Sequence, residues 1–156
     1  MGDLVMRTVL VATIALSASV GGAQFAHADE SMPWVFNAPA ADGYSITLAA
    51  VDPAPGTPLV RGSEVTVTVS VTYVMSVAPH GFIVLVPQDE KNRRVSPGDP
   101  QVKQEVSGPS GAATLTQRLI IPRDAKEVRL FVPLVPDGLT NTTGEITIRY
   151  PVVKRK

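Results

Sequence analysis

Residues 64–75 read EVTVTVSVTYVM, twelve positions in which apolar and small hydroxyl side chains alternate almost without a break. Val65, Val67, Val69, Val71 and Tyr73 fall on one face of an extended chain, and Thr66, Thr68, Ser70 and Thr72 on the other. The β-branched residues are stiff about χ1 and fit a pleated surface better than a helix. A strand of this kind needs a second layer to cover its valine face, while its threonine face stays wet. That is the pattern of an antiparallel sheet forming one side of a two-layer sandwich.

The remainder of the chain agrees. All 14 prolines lie at or beyond Pro33 and leave no interval for a long helix. The expected fold class is therefore all-β, with about seven strands. Besides Glu64–Met75, these are Tyr44–Val51, Phe82–Val86, Gln101–Val106, Ala113–Ile121, Val128–Val135 and Glu145–Tyr150. Phe82–Val86 is a continuous apolar run and predicts a central strand covered on both faces. Gln101–Val106, with Lys103 and Glu105 opposing Val102 and Val106, reads as an edge strand. Gly108-Pro109-Ser110-Gly111 predicts a hairpin turn. Pro133 predicts either a bulge or a strand end near Val132, because proline donates no ladder hydrogen bond. Pro122–Lys126 carries proline at a first helical position and predicts one short helical turn.

Short strands separated by turn-rich loops are the pattern of an immunoglobulin-like antiparallel β-sandwich. The stretch Pro53–Tyr73 (PAPGTPLVRGSEVTVTVSVTY) resembles the opening of bacterial secreted immunoglobulin-like domains, in which a Pro/Gly-rich crossover delivers a long second strand. The resemblance extends over residues 44–152 as architecture. The paired cysteines and buried strand Trp of true immunoglobulin domains are not present.

The first segment reads as an address. Met1–Arg7 precedes a 13-residue apolar run, Thr8–Val20, and Ala26-His27-Ala28 places small residues at −3 and −1 of an export cleavage site. Thirteen helical residues rise only about 20 Å, short of a hydrocarbon core of about 30 Å. Residues 1–28 are thus expected to be a cleavable signal peptide, with an uncleaved anchor as the second reading. Residues 29–43 form an extended N-terminal segment, residues 44–152 the sandwich and residues 153–156 a basic tail. The product is expected in the periplasm or outside the cell, with no membrane span after cleavage.

The chemistry is bounded mostly by exclusion. There is no cysteine, which removes disulfides, Cys-ligated metals and thiol catalysis. Fourteen basic residues balance 14 acidic ones, so no net field draws nucleic acid. Beyond the leader the one histidine is His80, near Ser76 but with no Gly-x-Ser-x-Gly elbow. Asp89-Glu90 and Asp99 read as solvated loop carboxylates and not a calcium array. The expectation is of a chain that is not an enzyme and needs no cofactor. It would serve as a binding or accessory protein of the cell envelope. An alternative is a small periplasmic copper carrier, with His80, Met75 and Met32 as imidazole and thioether ligands.

The candidate partner-binding residues are Trp34, Val35 and Phe36, an apolar triplet between Pro33 and Pro39. An extended, proline-flanked triplet could add as a strand to a partner's sheet. The favoured structural reading folds Trp34 and Phe36 back over an open end of the domain's own core.

Overall fold

The computed structural model describes residues 33–139 and 141–155. The expected signal peptide and Met32 lie outside the described residues. No helix among the described residues is long and apolar enough to cross a membrane.

Nine strands make two sheets: β1 (Val35–Asn37), β2 (Tyr44–Asp52), β3 (Leu59–Val60), β4 (Glu64–Met75), β5 (His80–Asp89), β6 (Val102–Ser107), β7 (Ser110–Ile120), β8 (Glu127–Pro136) and β9 (Gly144–Val153). The larger sheet runs β1-β9-β8-β5-β6, with β3 lying parallel beside β9; the smaller runs β2-β4-β7. Apart from β3, every pairing is antiparallel. The fold is all-β and sandwich-like. All seven expected strands are present, and β1 and β3 are additional; both are too short to carry a readable period.

The valine alternation does what the pleat requires. Val67, Val69 and Val71 are fully buried, and they meet the inward residues of the larger sheet, among them Ile83, Leu85, Leu130, Val132, Leu134, Ile146 and Ile148. On the wet face Thr68 faces Thr116 at 3.1 Å and Ser70 faces Thr114 at 2.9 Å, so hydroxyls satisfy one another across the β4–β7 pair. The β2–β4 register slips between Leu48 and Ala50, an irregularity in the open edge strand of the smaller sheet.

Three local expectations are corrected. Phe82–Val86 is central in its sheet but not covered on both faces: Ile83 and Leu85 are buried, while Phe82, Val84 and Val86 are half-exposed. Gly108–Gly111 is not a hairpin turn, because β6 and β7 belong to different sheets. The chain crosses between layers with Gly108 N–H donating to the Pro79 carbonyl at 2.9 Å. A Cβ at Gly108 would stand 2.6 Å from the Met75 carbonyl oxygen, so only glycine passes this crossover. Pro133 neither bulges nor ends β8. Pairing with β5 lapses opposite Val132 and Pro133 and resumes at Val86↔Phe131 in the same register, while Pro133 still pairs Glu145 on the other side. Packing on both sides carries the strand past one missing donor. Pro122–Lys126 forms a turn, closed by Ala125 N–H to the Pro122 carbonyl at 3.4 Å.

The outer edge of β9 is sealed by three pieces of the N-terminal half. β1 pairs Ile146–Ile148. The Trp34 carbonyl accepts from Arg149 N–H at 2.8 Å, and Gly56 N–H donates to the Arg149 carbonyl at 3.0 Å. β3 then pairs Val152 and Val153. Gly56 has a φ of +76°, and its missing Cβ leaves room for the Trp34 ring, which a methyl group would approach to 2.9 Å. Tyr150, fully buried on β9, ties the same seam from inside by donating its hydroxyl to the Pro53 carbonyl at 2.8 Å.

Burial, with the Asp52 carboxylate nearby, pushes the Tyr150 phenol up to about 12. The folded pKa lies above the ordinary value of 10.0, so this contribution to stability is complete below pH 10 and is lost as pH rises towards 12. Tyr150→Phe is expected to cost about 1 kcal/mol at neutral pH and to flatten the loss of stability across that alkaline window. Urea midpoints measured at neutral and alkaline pH for both proteins check this.

Candidate functional site

The strand registers stack side chains into rows on the outer face of the larger sheet. Phe36 on β1 faces Thr147 on β9, which faces Phe131 on β8, which faces Val86 on β5. Two residues along, Arg149, Arg129 and Gln88 form the next row, with Glu127 beyond it. Strand spacing puts Phe36 and Phe131 about 10 Å apart. Between them lies a concavity of about 240 Å³ that Pro33, Glu127, Arg129 and Arg149 complete. A second hollow, of about 280 Å³, continues past Phe131 to Pro133 and Glu145.

The charges around this apolar row are tied down. Arg149 Nη2 makes a short bond to Glu127 Oε2, and Arg129 Nε lies 3.5 Å from Glu127 Oε1. Arg129 also donates to the Asp89 carbonyl at 2.9 Å and sits 5.9 Å from the Phe131 ring centre, in cation–π range. Glu145 is half-buried; burial pushes its carboxyl up, against a side-chain hydrogen bond from Thr147 that lowers it. Glu127 and Glu145 do not form a hydrolytic pair. Glu145 faces Pro133, six residues along β8 from Glu127, or about 20 Å, and the paired carboxylates of glycosidases sit within about 10 Å.

Arg129 owes its position to a loop whose Asp89 and Glu90 are bonded within the fold and not solvated, contrary to expectation. Asp89 is 1% exposed. Its Oδ1 accepts from the amides of Lys91 and Arg93, each at 2.9 Å, and its Oδ2 from Arg93 Nε at 2.7 Å. Burial raises the Asp89 pKa, but these bonds and the Arg93 charge outweigh it and hold the carboxyl below its ordinary range. Glu90 accepts from the amides of Lys126 and Glu127, so it too is structural. The basic run Lys91–Arg94 is held by the fold: Arg93 and Lys91 reach Asp124, and Arg94 donates to the Asp99 carbonyl.

Of the partner-binding candidates, β1 adds to the chain's own β9, not to a second molecule, and the triplet divides. Val35 packs against the core, whereas Trp34 is 45% and Phe36 51% exposed. The copper candidates are not brought together. Met75 is fully buried with its sulfur under Gly81 on the core side of β5, and His80, the next residue along, is exposed on the opposite face. Met32 lies outside the described residues. His80 instead shares a hollow of about 230 Å³ with Glu105, Ser107 and Asp137, and its Nδ1 lies 3.5 Å from Ser107 Oγ. Ser76, its neighbour in sequence, donates to the Gly43 carbonyl. Cross-strand register, which places His80 opposite Ser107, carries no local sequence signal.

No protein-family model matches the chain, and no curated protein matches it. Among solved structures it is similar to one described as the structural analysis of a family 123 glycoside hydrolase from Clostridium perfringens and the details of its glycolipid glycan hydrolysis. The identity is 14% and the TM-score 0.35, over 62% of this chain and 22% of that one. The chain therefore matches less than a quarter of that protein's length. The expectation that the chain is not an enzyme is corrected at this point, because the protein it matches is a hydrolase. That expectation rested on motifs contiguous in sequence, and side chains such as His80 and Ser107 meet only in space. A likeness this slight assigns no reaction to the chain.

Asp89→Ala is expected to destabilise by about 2 kcal/mol, since it takes the acceptor from two part-buried loop amides, while Arg93 keeps its pairing with Asp124. The folded Asp89 pKa is depressed, so its contribution is present above an unfolded pKa of about 4 and is lost as pH falls below it. Asp89→Asn should therefore show a shallower acid-side fall in urea midpoint than the parent.

Proposed function

We propose that this chain is an exported immunoglobulin-like module that binds a protein or envelope component through the outer face of its larger sheet, with Phe36 and Phe131 as the anchors. The observation that carries this reading is the way Phe36 is held. β1 spends its backbone and Val35 on its own fold, yet leaves a large aromatic ring half in water beside a second ring and two fixed arginines. Aromatic and arginine side chains dominate the energetics of interfaces, and a pre-ordered strand presents them with little entropy left to lose.

The strand order supports the immunoglobulin-like reading. A sheet of β9, β8, β5 and β6 opposes one of β2, β4 and β7, with the short β3 running parallel beside β9, an arrangement close to the three-strand and four-strand sheets of such sandwiches. Export is supported by the leader pattern of residues 1–28.

Phe36→Ala should leave stability within about 0.5 kcal/mol, as for most exposed positions. It should also reduce capture of the partner from native envelope extracts at least tenfold. Equal capture by the parent and by Phe36→Ala at matched stability would end this assignment.

A further inference from the structure

Eight arginines fall among the described residues, and five of them have partners. Arg93, Arg118, Arg129 and Arg149 meet carboxylates, and Arg94 meets a carbonyl. The other three, Arg61, Arg123 and Arg155, have no ion pair among the described residues. They gather at one end of the fold. The cause is the parallel pairing of β3 with β9: Leu59↔Val152 and Val60↔Val153 run in step, so the next residues, Arg61 on one strand and Lys154-Arg155 on the other, leave the sheet side by side. Arg61 N–H donates to the Val153 carbonyl at 3.0 Å and fixes that exit.

Between them lies a hollow of about 290 Å³ lined by Val60, Arg61, Gly62, Ser63 and Arg155, with no carboxylate in its wall. The Arg123 side chain lies against Gly62, its Nε 3.5 Å from where a Cβ would stand. Arg61 Nε is buried without a hydrogen-bond partner among the described residues. Carboxylates near in sequence are committed elsewhere: Glu64 to Arg118 at 3.4 Å, and Asp124 to Arg93 at 2.8 Å. In a chain of zero net charge, this end therefore concentrates cationic groups that nothing in the described fold neutralises.

We propose that this hollow is a binding site for a phosphate oxyanion, either free or as the phosphodiester of a headgroup. Guanidinium forks match phosphate oxygens two at a time. A tetrahedral anion can serve forks arriving from three directions, where a planar carboxylate serves one or two. The site uses none of the residues of the Phe36–Phe131 face and stands independently of the function proposed for that face.

The test is isothermal titration of the full chain with inorganic phosphate and pyrophosphate, beside co-sedimentation with phosphatidylglycerol vesicles and phosphatidylcholine vesicles as the neutral control. Arg61→Gln and Arg155→Gln are compared with Lys103→Gln, an equal change of charge outside the hollow, and circular dichroism confirms that each is folded. Saturable binding weakened at least tenfold in both arginine variants but kept in Lys103→Gln is the expected result. Saturation by the free anions assigns the site to a soluble phosphate; vesicle binding alone, lost in the same variants, assigns it to a headgroup. No saturable binding of either probe overturns the proposal. So does binding that Arg61→Gln leaves intact, or that Lys103→Gln weakens equally.

Discussion

A strand at the margin of a sheet carries unpaired amides and carbonyls, and β9 would be such a strand without the segments that precede β4. Trp34, β1, Gly56 and β3 meet its outer edge in succession, so a long stretch of backbone with no regular strand of its own length becomes a lattice of hydrogen bonds along one seam. The proposed binding face and the arginine hollow are both placed by that seam. It stands Phe36 on the outer face beside Phe131, it brings Pro53 to the Tyr150 hydroxyl, and it brings Arg61 and Arg155 to one hollow.

The seam also divides labour within single short segments. In β1 the backbone and Val35 serve the fold while Phe36 is left over. In β3 Leu59 is buried at 5% exposure while Arg61, two residues on, lines an open hollow. A strand of two or three residues contributes little area to the core, and its side chains beyond that contact are left at the surface. The Asp89 loop works in the opposite sense. Its charges look available in sequence, but the fold consumes them in holding Arg93 and Arg129 in place.

Legibility in the sequence followed periodicity. The β4 alternation, which is long and one-sided, located a strand and its buried face without structural help, while Phe82–Val86, a plain apolar run, located β5 but not which of its faces is buried. Three residues at Val35–Asn37 and two at Leu59–Val60 have no period to read. Their pairing with β9 depends on contacts more than 90 residues away along the chain. The candidate sites failed to show for the same reason. Phe36 and Phe131, Arg61 and Arg155, and His80 and Ser107 are neighbours only by register, while the pair suggested by sequence proximity, Met75 and His80, is separated by the alternation of the strand itself. Local reading also underrated proline, because Pro133 loses a donor on one side but keeps its ladder on the other.

The slipped register between Leu48 and Ala50 has a bearing on how one chain meets another. β2 is one margin of the smaller sheet and has, among the described residues, no paired segment like those over β9. A stranger's extended chain could lie against it only if amides and carbonyls recurred at even intervals, and the extra residue spoils that rhythm midway. The irregularity thus works against edge-to-edge pairing of one chain with another along β2.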